Sequence, residues 1–599
     1  MKSIFLWLTL LAAFNLYSQK ISVDDRIAKV ENSLMPYVPV NGLEQWNIYE
    51  RMKHYKVPGV SIAVINNYKI EWAKGYGLAD TIKKIPVTTE TIFSAGSISK
   101  LLSATIAMQL VEEGKLELNQ PIKQFLTSWK ITENDNYQKN PVTLRMLLSH
   151  TGGTSQSSYF GFTPDRKPLP TITQILNGEP TAESNRVVVN SEPGKQFQYS
   201  GGGSMIVQMA MMDVTGKDFT TLTQQRIFDK LKMNNSTFEQ PLPKPFQSKV
   251  AWGYSSASWY KGMPYVYPQQ AAAGLHTTPT DLARFILDLQ LSSKNKGKLI
   301  SQKSFETMMN PVIGISSGGY KEEMGLGAFL LQRADNKEET GRYFEHQGAN
   351  AGFISFAIGN ISEGYGAVIM MNSGDDFNGL GTEIRRAIAA TYQWKNFLPE
   401  AITLKSLDGN TLKSYEGRYR KGVDEVVTIK LEKNYLLETI NGGNAIYCIP
   451  TDKDQIVFTD YNVKGRFVRD ETENVIGLQT EWQSEPMPKM KSEEFSPSEL
   501  LSFKQYEEAK VGLRQMKMNE YQITYYAYNW LNKKPKDLNT VKAILEVALE
   551  QHPNASIVYA RWGEYYQACN DKNNARLNYQ KALELEPSNK EYQIILEKI

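Results

Sequence analysis

At 599 residues the chain is too long for one ordinary domain and long enough for about two to four, each with its own core. Its 67 Lys and Arg residues nearly balance 64 Asp and Glu residues, and no basic run or stripe appears, which argues against a nucleic-acid partner. Cys448 and Cys569 lie far apart, so a disulfide framework is not supported. The five histidines form no HExxH motif and no Cys/His cluster, so we expect no metal or other cofactor.

The first residues predict export. The stretch MKSIFLWLTLLAAFNLYSQK has Lys2, an apolar run from Ile4 to about Phe14, and small and polar residues around Ser18. The run is too short to span a bilayer, and the pattern is typical of a secretory signal peptide. We therefore expect residues 1–18 to be removed, leaving a bacterial protein without a transmembrane anchor that is periplasmic or secreted.

The longest block, residues 19–398, predicts an α/β (α+β) domain. GVSIAVINNYKIEWAKGYG (59–77) alternates and turns at Asn66-Asn67, which indicates a β-hairpin. A helix is predicted from 97 to about 113, ended by Gly114 in a left-handed conformation. Three strands follow much later, at 325–333, 343–359 and 365–373. We expect both ends of the block to join in one antiparallel sheet flanked by helices.

Two smaller domains are predicted after this block. Residues 405–495 contain short alternating strands at 425–432, 435–439, 455–458 and 475–482, which predicts a small all-β barrel or sandwich. Residues 500–599 are helical and rich in tyrosine, and 562–587 matches a tetratricopeptide repeat, with Pro553 lying 34 residues before Pro587. Fewer than three repeats rarely stand alone, so we expect this tail to pack on its neighbours. It is also the candidate docking site for a protein partner.

Ser97 and Lys100, in FSAGSISKLLSATIAMQLVEEGKL (93–116), raise the question of catalysis. Spaced at i and i+3, they share one helix face. The backbone N–H of a serine at a helix start points to where an oxyanion would form. A lysine that loses solvent has a lowered pKa and can serve as the base for a serine nucleophile. An isolated S-x-x-K spacing also arises by chance, as a capping serine followed by a solvated lysine.

The accompanying segments strengthen the catalytic interpretation. LRMLLSHTGG (144–153), PGKQFQYSGGGSMIVQMA (193–210) and HQGANAGF (346–353) follow in that order, with AAAGLHTTPTDLARF (271–285) among them. Together they resemble the class C β-lactamase, penicillin-binding-protein-like and esterase superfamily of serine hydrolases, over roughly residues 30–395. The predicted barrel and the repeat tail resemble domains found fused to such hydrolases.

The resemblance implies roles for individual residues. Ser97 corresponds to the acylated nucleophile, Lys100 to its partner base, and Tyr199 to the tyrosine that carries the proton to and from the leaving group. His346-Gln347-Gly348 occupies the strand that carries K-T-G in the family. The N–H of Ala349 would pair with the N–H of Ser97 as the oxyanion hole.

Two departures from the family pattern bear on the substrate. The usual Y-x-N is Tyr199-Ser200-Gly201 here, so the substrate-holding amide is missing, and His346 stands in place of the K-T-G lysine. An unperturbed imidazole has a pKa of about 6.5 and is mostly neutral near pH 7.5. These differences favour an esterase or aminopeptidase-type hydrolase acting on a small or cell-envelope substrate. His150, in LLSHTGG, is interpreted as structural and not as a base.

Several alternatives remain open at this stage. The chain could be a β-lactamase or a DD-carboxypeptidase, because the Ser–Lys–Tyr set is intact. It could also be a non-catalytic penicillin-binding-like scaffold, since the amide of Y-x-N is absent. A Ser-His-Asp hydrolase has little support, because GYSSA (253–257) lacks the second glycine of a nucleophile elbow.

Overall fold

A computed structural model describes residues 21–255, 260–317, 320–335, 339–375, 379–443, 445–533 and 535–599. The chain divides into two compact units. The first comprises the residues up to Pro39 together with Glu44–Glu400, and the second comprises Val40–Leu43 together with Ala401–Ile599. The predicted signal peptide lies outside the described residues. Within the described ranges, no helix is long and apolar enough to cross a membrane.

The first unit is an α/β domain whose helices flank a central sheet. In chain order its helices are α1 (Val23–Glu31), α2 (Ile48–His54), α3 (Ser99–Glu112), α4 (Asp135–Lys139), α5 (Leu144–Leu148), α6 (Ile172–Asn177), α7 (Gly201–Thr215), α8 (Phe219–Thr223), α9 (Asp229–Leu231), α10 (Lys244–Gln247), α11 (Gln270–Ala273), α12 (Pro279–Ser292), α13 (Gln302–Met308) and α14 (Leu380–Thr391).

The strands are numbered in chain order through both units. The short β1 (Val40–Asn41) belongs to the second unit, where it pairs with β15. Those of the first unit are β2 (Gly59–Asn66), β3 (Lys69–Asp80), β4 (Ile85–Pro86), β5 (Phe93–Ser94), β6 (Gly253–Ser255), β7 (Tyr260–Gly262), β8 (His276–Thr277), β9 (Ile313–Ser317), β10 (Tyr320–Met324), β11 (Phe329–Arg333), β12 (Arg342–Asn350), β13 (Phe353–Asn360) and β14 (Gly366–Met371). The main sheet is antiparallel, in the order β4-β3-β2-β14-β13-β12-β11-β10-β9. The early hairpin and the late strands therefore join in one sheet, as predicted.

Strand β14 shows why this sheet is covered on both faces. Val368 and Met370 pack in the core that contains α3, α7 and α12, whereas Ile369 and Met371 pack in the core that contains α1, α2 and α14. Successive side chains of a strand point to opposite faces, so the uninterrupted apolar run of β14 serves both cores. Burying each such side chain stabilises the fold by roughly 1.5–3 kcal/mol.

The prediction of a single strand over 343–359 was wrong. The segment forms two strands, β12 and β13, joined by Ala351-Gly352 in a tight hairpin. Gly352 has a φ of +76°, a conformation that glycine adopts without a steric penalty. Strands β9 and β10 were not predicted, because their sequences are polar and lack a clear alternation.

The second unit contains the predicted barrel. Its strands are β15 (Ile402–Thr403), β16 (Gly417–Arg420), β17 (Val426–Glu432), β18 (Tyr435–Ile440), β19 (Ile446–Asp452), β20 (Gln455–Phe458), β21 (Val463–Arg469), β22 (Val475–Thr480) and β23 (Met487–Pro488). Strands β16 to β23 form one antiparallel sheet in sequence order. A bridge between Tyr419 and Lys489, with Met490 N–H donating to the Arg418 carbonyl at 2.7 Å, brings the first and last strands together. The barrel is therefore nearly closed.

A helical tail completes the second unit. Its helices are α16 (Pro497–Ser502), α17 (Tyr506–Gln515), α18 (Glu520–Leu531), α19 (Leu538–Gln551), α20 (Ser556–Ala568), α21 (Lys572–Leu585) and α22 (Lys590–Lys598), and α15 (Gly409–Ser414) precedes the barrel. A Cβ placed on Gly563 of α20 would come within 2.6 Å of the Tyr579 ring of α21, so these two helices approach closely. The tetratricopeptide character of the tail stays a prediction.

Candidate active site

Ser97 lies in a tight turn immediately before α3. The helix begins at Ser99 and not at Ser97, because the N–H groups of Ser99 and Lys100 bond to the carbonyls of Gly96 and Ser97 at 3.0 Å, an i to i+3 pattern. Within the described part of the chain, the N–H of Ser97 forms no hydrogen bond. The turn thus presents a half-buried hydroxyl and a backbone donor at the start of the helix.

Lys100 is 6% exposed and its amine lies against the serine. Its Nζ donates to Ser97 Oγ at 3.0 Å and to the carbonyl of Ala272 at 2.7 Å. Burial lowers the pKa of the Lys100 amine from 10.5 to about 7, because an ammonium loses hydration inside the protein. A substantial fraction of Lys100 is therefore neutral at physiological pH and can accept a proton from Ser97.

The loop through α11 holds this pair from the opposite side. The Ala271 N–H donates to Gln208 Oε1 at 2.8 Å, which fixes the neighbouring Ala272 carbonyl beside Lys100. The Leu275 N–H donates to Ser99 Oγ at 3.0 Å, so the same loop also anchors the start of α3. In the sequence this segment is recognisable only as part of the family resemblance, and nothing in it indicates that the Ala272 carbonyl orients Lys100.

Tyr199 lies directly before α7 and reaches the same place. Lys100 Nζ is 4.9 Å from the centre of its ring, and its hydroxyl forms a hydrogen bond with the Ser97 side chain. Burial raises the pKa of the Tyr199 hydroxyl, although the bond with Ser97 opposes the rise. Tyr199 therefore carries its proton at neutral pH and can donate it.

Backbone groups of β12 lie close to the turn that contains Ser97. A Cβ on Gly96, which has a φ of +52°, would lie 2.7 Å from the Ala349 nitrogen. A Cβ on Gly348 would lie 1.9 Å from the Ala95 carbonyl oxygen and 3.1 Å from the Ser97 nitrogen. Only glycine fits at either position, and the close approach that glycine permits places the backbone of β12 at Ala349 beside the turn that contains Ser97.

His346 is buried on β12, with 1% of its surface exposed. Its Nδ1 lies 2.7 Å from the carbonyl oxygen of Gln347, so Nδ1 must carry the proton, since a carbonyl can only accept. Its Nε2 has no partner within the described residues. Burial, reinforced by the nearby Lys100, lowers the pKa of His346 to about 3. The imidazole is thus neutral over the whole working range of pH, whereas an unperturbed histidine with a pKa of about 6.5 would be partly charged at the acidic end of that range.

His150 holds the segment that carries Tyr199. The Ser200 N–H donates to His150 Nδ1 at 3.2 Å, and the Gln198 N–H donates to the His150 carbonyl at 2.7 Å. The two rings, of His150 and Tyr199, have centres 4.4 Å apart. Because Nδ1 already accepts a backbone hydrogen bond and burial lowers the pKa of the imidazole, His150 serves to position Tyr199.

Gly201 is the first residue of α7, and a side chain at this position would lie close to its neighbours. A Cβ at this position would lie 3.0 Å from the Tyr159 ring and 3.2 Å from the Ser157 carbonyl oxygen. The Tyr159 side chain therefore fills space next to the position of the missing amide. The sequence shows that glycine stands at position 201 where the family has asparagine, but it does not indicate that Tyr159 lies beside that position.

The structure brings Ser97, Lys100 and Tyr199 into contact, and places His346 and Ala349 beside them. The rival GYSSA segment begins in the short strand β6, and its residues 256 and 257 lie outside the described residues. Across the described ranges, no group of three or more His, Cys, Asp or Glu side chains is arranged to hold a metal ion.

In an antiparallel sheet flanked by helices, a serine, a buried lysine and a tyrosine meet beside the start of α3, an arrangement typical of serine hydrolases. The chain belongs to the Beta-lactamase family, whose model matches residues 47–391. This confirms the resemblance inferred from the motifs. Among solved structures, the octameric penicillin-binding protein homologue from Pyrococcus abyssi superimposes with a TM-score of 0.51 at 23% sequence identity, covering 73% of this chain and 97% of that one. That likeness concerns the fold.

Curated relatives match part of the chain. Protein flp of Staphylococcus aureus strain MW2 is 23% identical over 323 residues, covering 54% of this chain. The match spans only 61% of the length of that relative. A teichoic acid D-alanine hydrolase of Staphylococcus aureus is 27% identical over 233 residues, covering 38% of this chain and 54% of that protein.

Proposed function

We propose that the chain is an exported serine hydrolase that forms an acyl-enzyme on Ser97 and cleaves an ester or amide. The observation that carries this proposal is the 3.0 Å contact between Ser97 Oγ and the Nζ of a buried Lys100 with a lowered pKa. Export is supported by the sequence pattern of residues 1–18. A nucleophile beside a group able to take its proton is the requirement for covalent acyl transfer.

The proposed acylation begins with the neutral Lys100 amine taking the Ser97 proton. Oγ then bonds to the acyl carbon of the substrate, and the carbonyl electrons move onto its oxygen, beside the N–H groups of Ser97 and Ala349. When the carbonyl re-forms, the bond to the leaving group breaks and Tyr199 donates its proton to that group. The Lys100 ammonium returns a proton to Tyr199. Water then bonds to the acyl carbon as its proton passes through Tyr199 to Lys100, and the bond to Ser97 Oγ breaks as the Lys100 ammonium returns a proton to Oγ, which releases the acid.

We further propose that the preferred substrate carries a free amine and no carboxylate near the scissile bond. His346 is neutral where penicillin-recognising relatives carry a lysine that would hold a carboxylate, and Gly201 lacks the side-chain amide that would serve as a second substrate anchor. A cavity of about 460 Å³ is lined by Tyr159, which contacts Gly201, and by Glu179. Glu179 accepts a hydrogen bond from the neutral Asn177 amide at 3.4 Å and forms no ion pair with any of the described residues. D-Alanyl esters fit this description, and one relative is named as a D-alanine hydrolase.

The pH dependence of turnover tests the role of Lys100. The base must be neutral to accept the Ser97 proton, so kcat/KM should rise as the pH increases through about 7, the pKa to which burial lowers Lys100. His346, with a pKa of about 3, should cause no second inflection in the pH profile of kcat/KM between pH 5.5 and 9. The measurement is kcat/KM for p-nitrophenyl acetate across that range. A profile that is flat, or that rises only near pH 10, would contradict a lysine base of lowered pKa.

Substrate selectivity tests the proposed function itself. We expect the methyl ester of D-alanine to be hydrolysed with at least tenfold higher kcat/KM than methyl propionate, which lacks only the amine. A charge-assisted hydrogen bond to the amine would account for a difference of this size. A chromogenic cephalosporin should be a poor substrate. His346→Lys should improve the cephalosporin relative to the esters by about 10- to 150-fold, because a charge-assisted bond contributes roughly 1.5–3 kcal/mol.

The matched control is His346→Gln, which removes the imidazole without adding charge and should leave the ratio unchanged. If the unmodified protein hydrolyses the cephalosporin at rates typical of a resistance enzyme and ignores both esters, the proposal is wrong. Ester hydrolysis without any preference for the amine would keep the hydrolase and refute the proposed substrate class.

A further inference from the structure

The barrel of the second unit encloses a cavity of about 420 Å³ at one end. The loops that follow β16, β18, β20 and β22 lie at that end, since the strands alternate in direction. Three of these loops contribute Lys421, Tyr461 and Trp482 to the lining. The deeper wall is apolar and includes Val427 and Phe458 of the barrel core. Eight-stranded barrels have interiors wide enough to hold one small ligand.

Glu438 places a carboxylate inside this otherwise apolar wall. It lies on β18 two positions after Leu436, which is fully buried in the barrel core, so both side chains point inward. Glu438 is 5% exposed and lines the cavity. Its Oε2 has no hydrogen-bond partner among the described residues. A buried acceptor is therefore directed into a cavity without a donor to meet it.

Burial of Glu438 without a hydrogen-bond donor for its Oε2 destabilises the folded barrel. Burial raises the pKa of Glu438 to about 7, with Asp460 adding to the rise and Lys421 opposing it. The carboxylate loses hydration on burial and Lys421 offsets only part of that cost, whereas an apolar side chain would continue the core. Buried ionisable groups with shifted pKa values in a cavity are typical of ligand sites.

An aromatic pair lies at the mouth of the cavity. Trp482 is 69% exposed and Tyr461 is 47% exposed, and their ring centres are 5.8 Å apart with planes tilted by 52°. Large aromatic side chains that stay exposed together commonly mark a contact surface. Their faces can stack on an apolar group or attract a cation.

The local charges favour a cation over an anion. Lys421 is the basic side chain in the lining, but its Nζ lies 3.7 Å from Glu425 Oε1, which compensates part of its charge. Asp460 adds negative potential at Glu438. The buried thiol of Cys448, whose own pKa is raised by burial, is neutral and adds no charge.

We propose that this cavity binds a small organic cation, with an ammonium group donating to Glu438 and an apolar chain or ring held by the barrel wall and the Tyr461–Trp482 pair. The site is independent of the hydrolytic chemistry proposed for Ser97. It assigns to the barrel a sensing or carrier function for alkyl or aryl amines.

The test is calorimetric titration of the full-length protein at pH 8 with octylammonium chloride, octan-1-ol and sodium octanoate. These probes share one chain and differ only in the head group. Octylammonium should bind at least tenfold more tightly than either of the others, as expected for a charge-assisted hydrogen bond. Its affinity should fall below pH 7 as Glu438 takes up a proton. Binding should also change the fluorescence of Trp482.

Glu438→Gln should weaken octylammonium binding about 10- to 100-fold, as expected for loss of a charge-assisted bond, and remove the pH dependence. Glu432→Gln, an exposed carboxylate on the adjacent strand β17, is the matched control and should leave both unchanged. Trp482→Ala changes only the exposed mouth, so it should weaken binding even if the first variant is poorly folded. The proposal is overturned if octanoate binds better than octylammonium, if no probe binds at millimolar concentration, or if Glu438→Gln and Trp482→Ala bind octylammonium as tightly as the unmodified protein.

Discussion

Ser97→Ala is expected to abolish covalent labelling by a fluorophosphonate probe and to lower kcat/KM for the best ester by about 10⁴-fold or more, because removal of the nucleophile of a serine hydrolase has effects of this size. The fold should be unaffected. Ser97 lies in a half-buried turn, and its hydroxyl contacts only residues of the site. Intact-mass spectrometry after labelling, with initial rates on the same samples, measures both effects.

Ser103→Ala provides the matched control for labelling. Ser103 lies on the same helix and its hydroxyl donates to the backbone carbonyl of Ser99 at 2.8 Å, so its removal changes the local packing but not the nucleophile. This variant should label at one site, like the unmodified protein. Full labelling of Ser97→Ala would show that another residue is the nucleophile. A well-folded unmodified protein that neither labels nor turns over any ester would favour the scaffold alternative.

Lys100→Met is expected to inactivate the protein and, at low pH, to stabilise it. Below pH 7 the folded unmodified protein must bury the charged ammonium of Lys100. The Lys100→Met variant has no such charge to bury. The folded-state pKa of about 7 lies below the ordinary 10.5, so between these values the unfolded chain binds a proton that the folded chain does not. Stability of the unmodified protein therefore rises with pH across that window, by up to about 5 kcal/mol.

The advantage of Lys100→Met should accordingly shrink as the pH rises from 6 to 10. Loss of the hydrogen bonds to Ser97 and Ala272 offsets it by about 1 kcal/mol each. The midpoint of thermal unfolding of the first unit, measured at several pH values, gives the comparison. Lys115→Met, at an exposed lysine, should stay within about 0.5 kcal/mol of the unmodified protein at every pH. An advantage that grows with pH would contradict a buried lysine of lowered pKa.

If both results hold, the unusual feature of this site is its lack of fixed charge. Lys100 is partly neutral, His346 and His150 are neutral, and Tyr199 keeps its proton. Each of these states follows chiefly from burial. Such a site is suited to uncharged acyl groups and gives a substrate carboxylate little to bind, which is the physical basis of the selectivity proposed above.

Local patterns in the sequence were sufficient for much of the fold. The predicted early hairpin forms, but its turn lies one residue later than expected, at Asn67-Tyr68, because these two residues adopt the positive φ of a tight turn while Asn66 pairs with Lys69. Gly114 adopts a φ of +68° after α3, as predicted from its position behind an apolar helix. Four barrel strands were predicted from their alternation, whereas β16, β19, β21 and β23 were missed. Strands β16 and β23 are very short, and β19 is a largely apolar run that contains Pro450, so their pairing partners define them as strands. Strand β21 does alternate between buried and exposed residues and could have been predicted.

By itself, the sequence determined which residues can carry the chemistry: the spacing of Ser97 and Lys100 places both at one helix start, and the order of the later motifs supplies Tyr199 and the strand with His346. Only the tertiary structure decided the state of these groups. The Ala272 carbonyl that orients Lys100, the Tyr159 ring beside Gly201 and the empty space facing Glu438 all come from segments distant in sequence. Ionisation depends on desolvation and on every neighbouring dipole, and these are set by packing between distant segments and not by residue spacing.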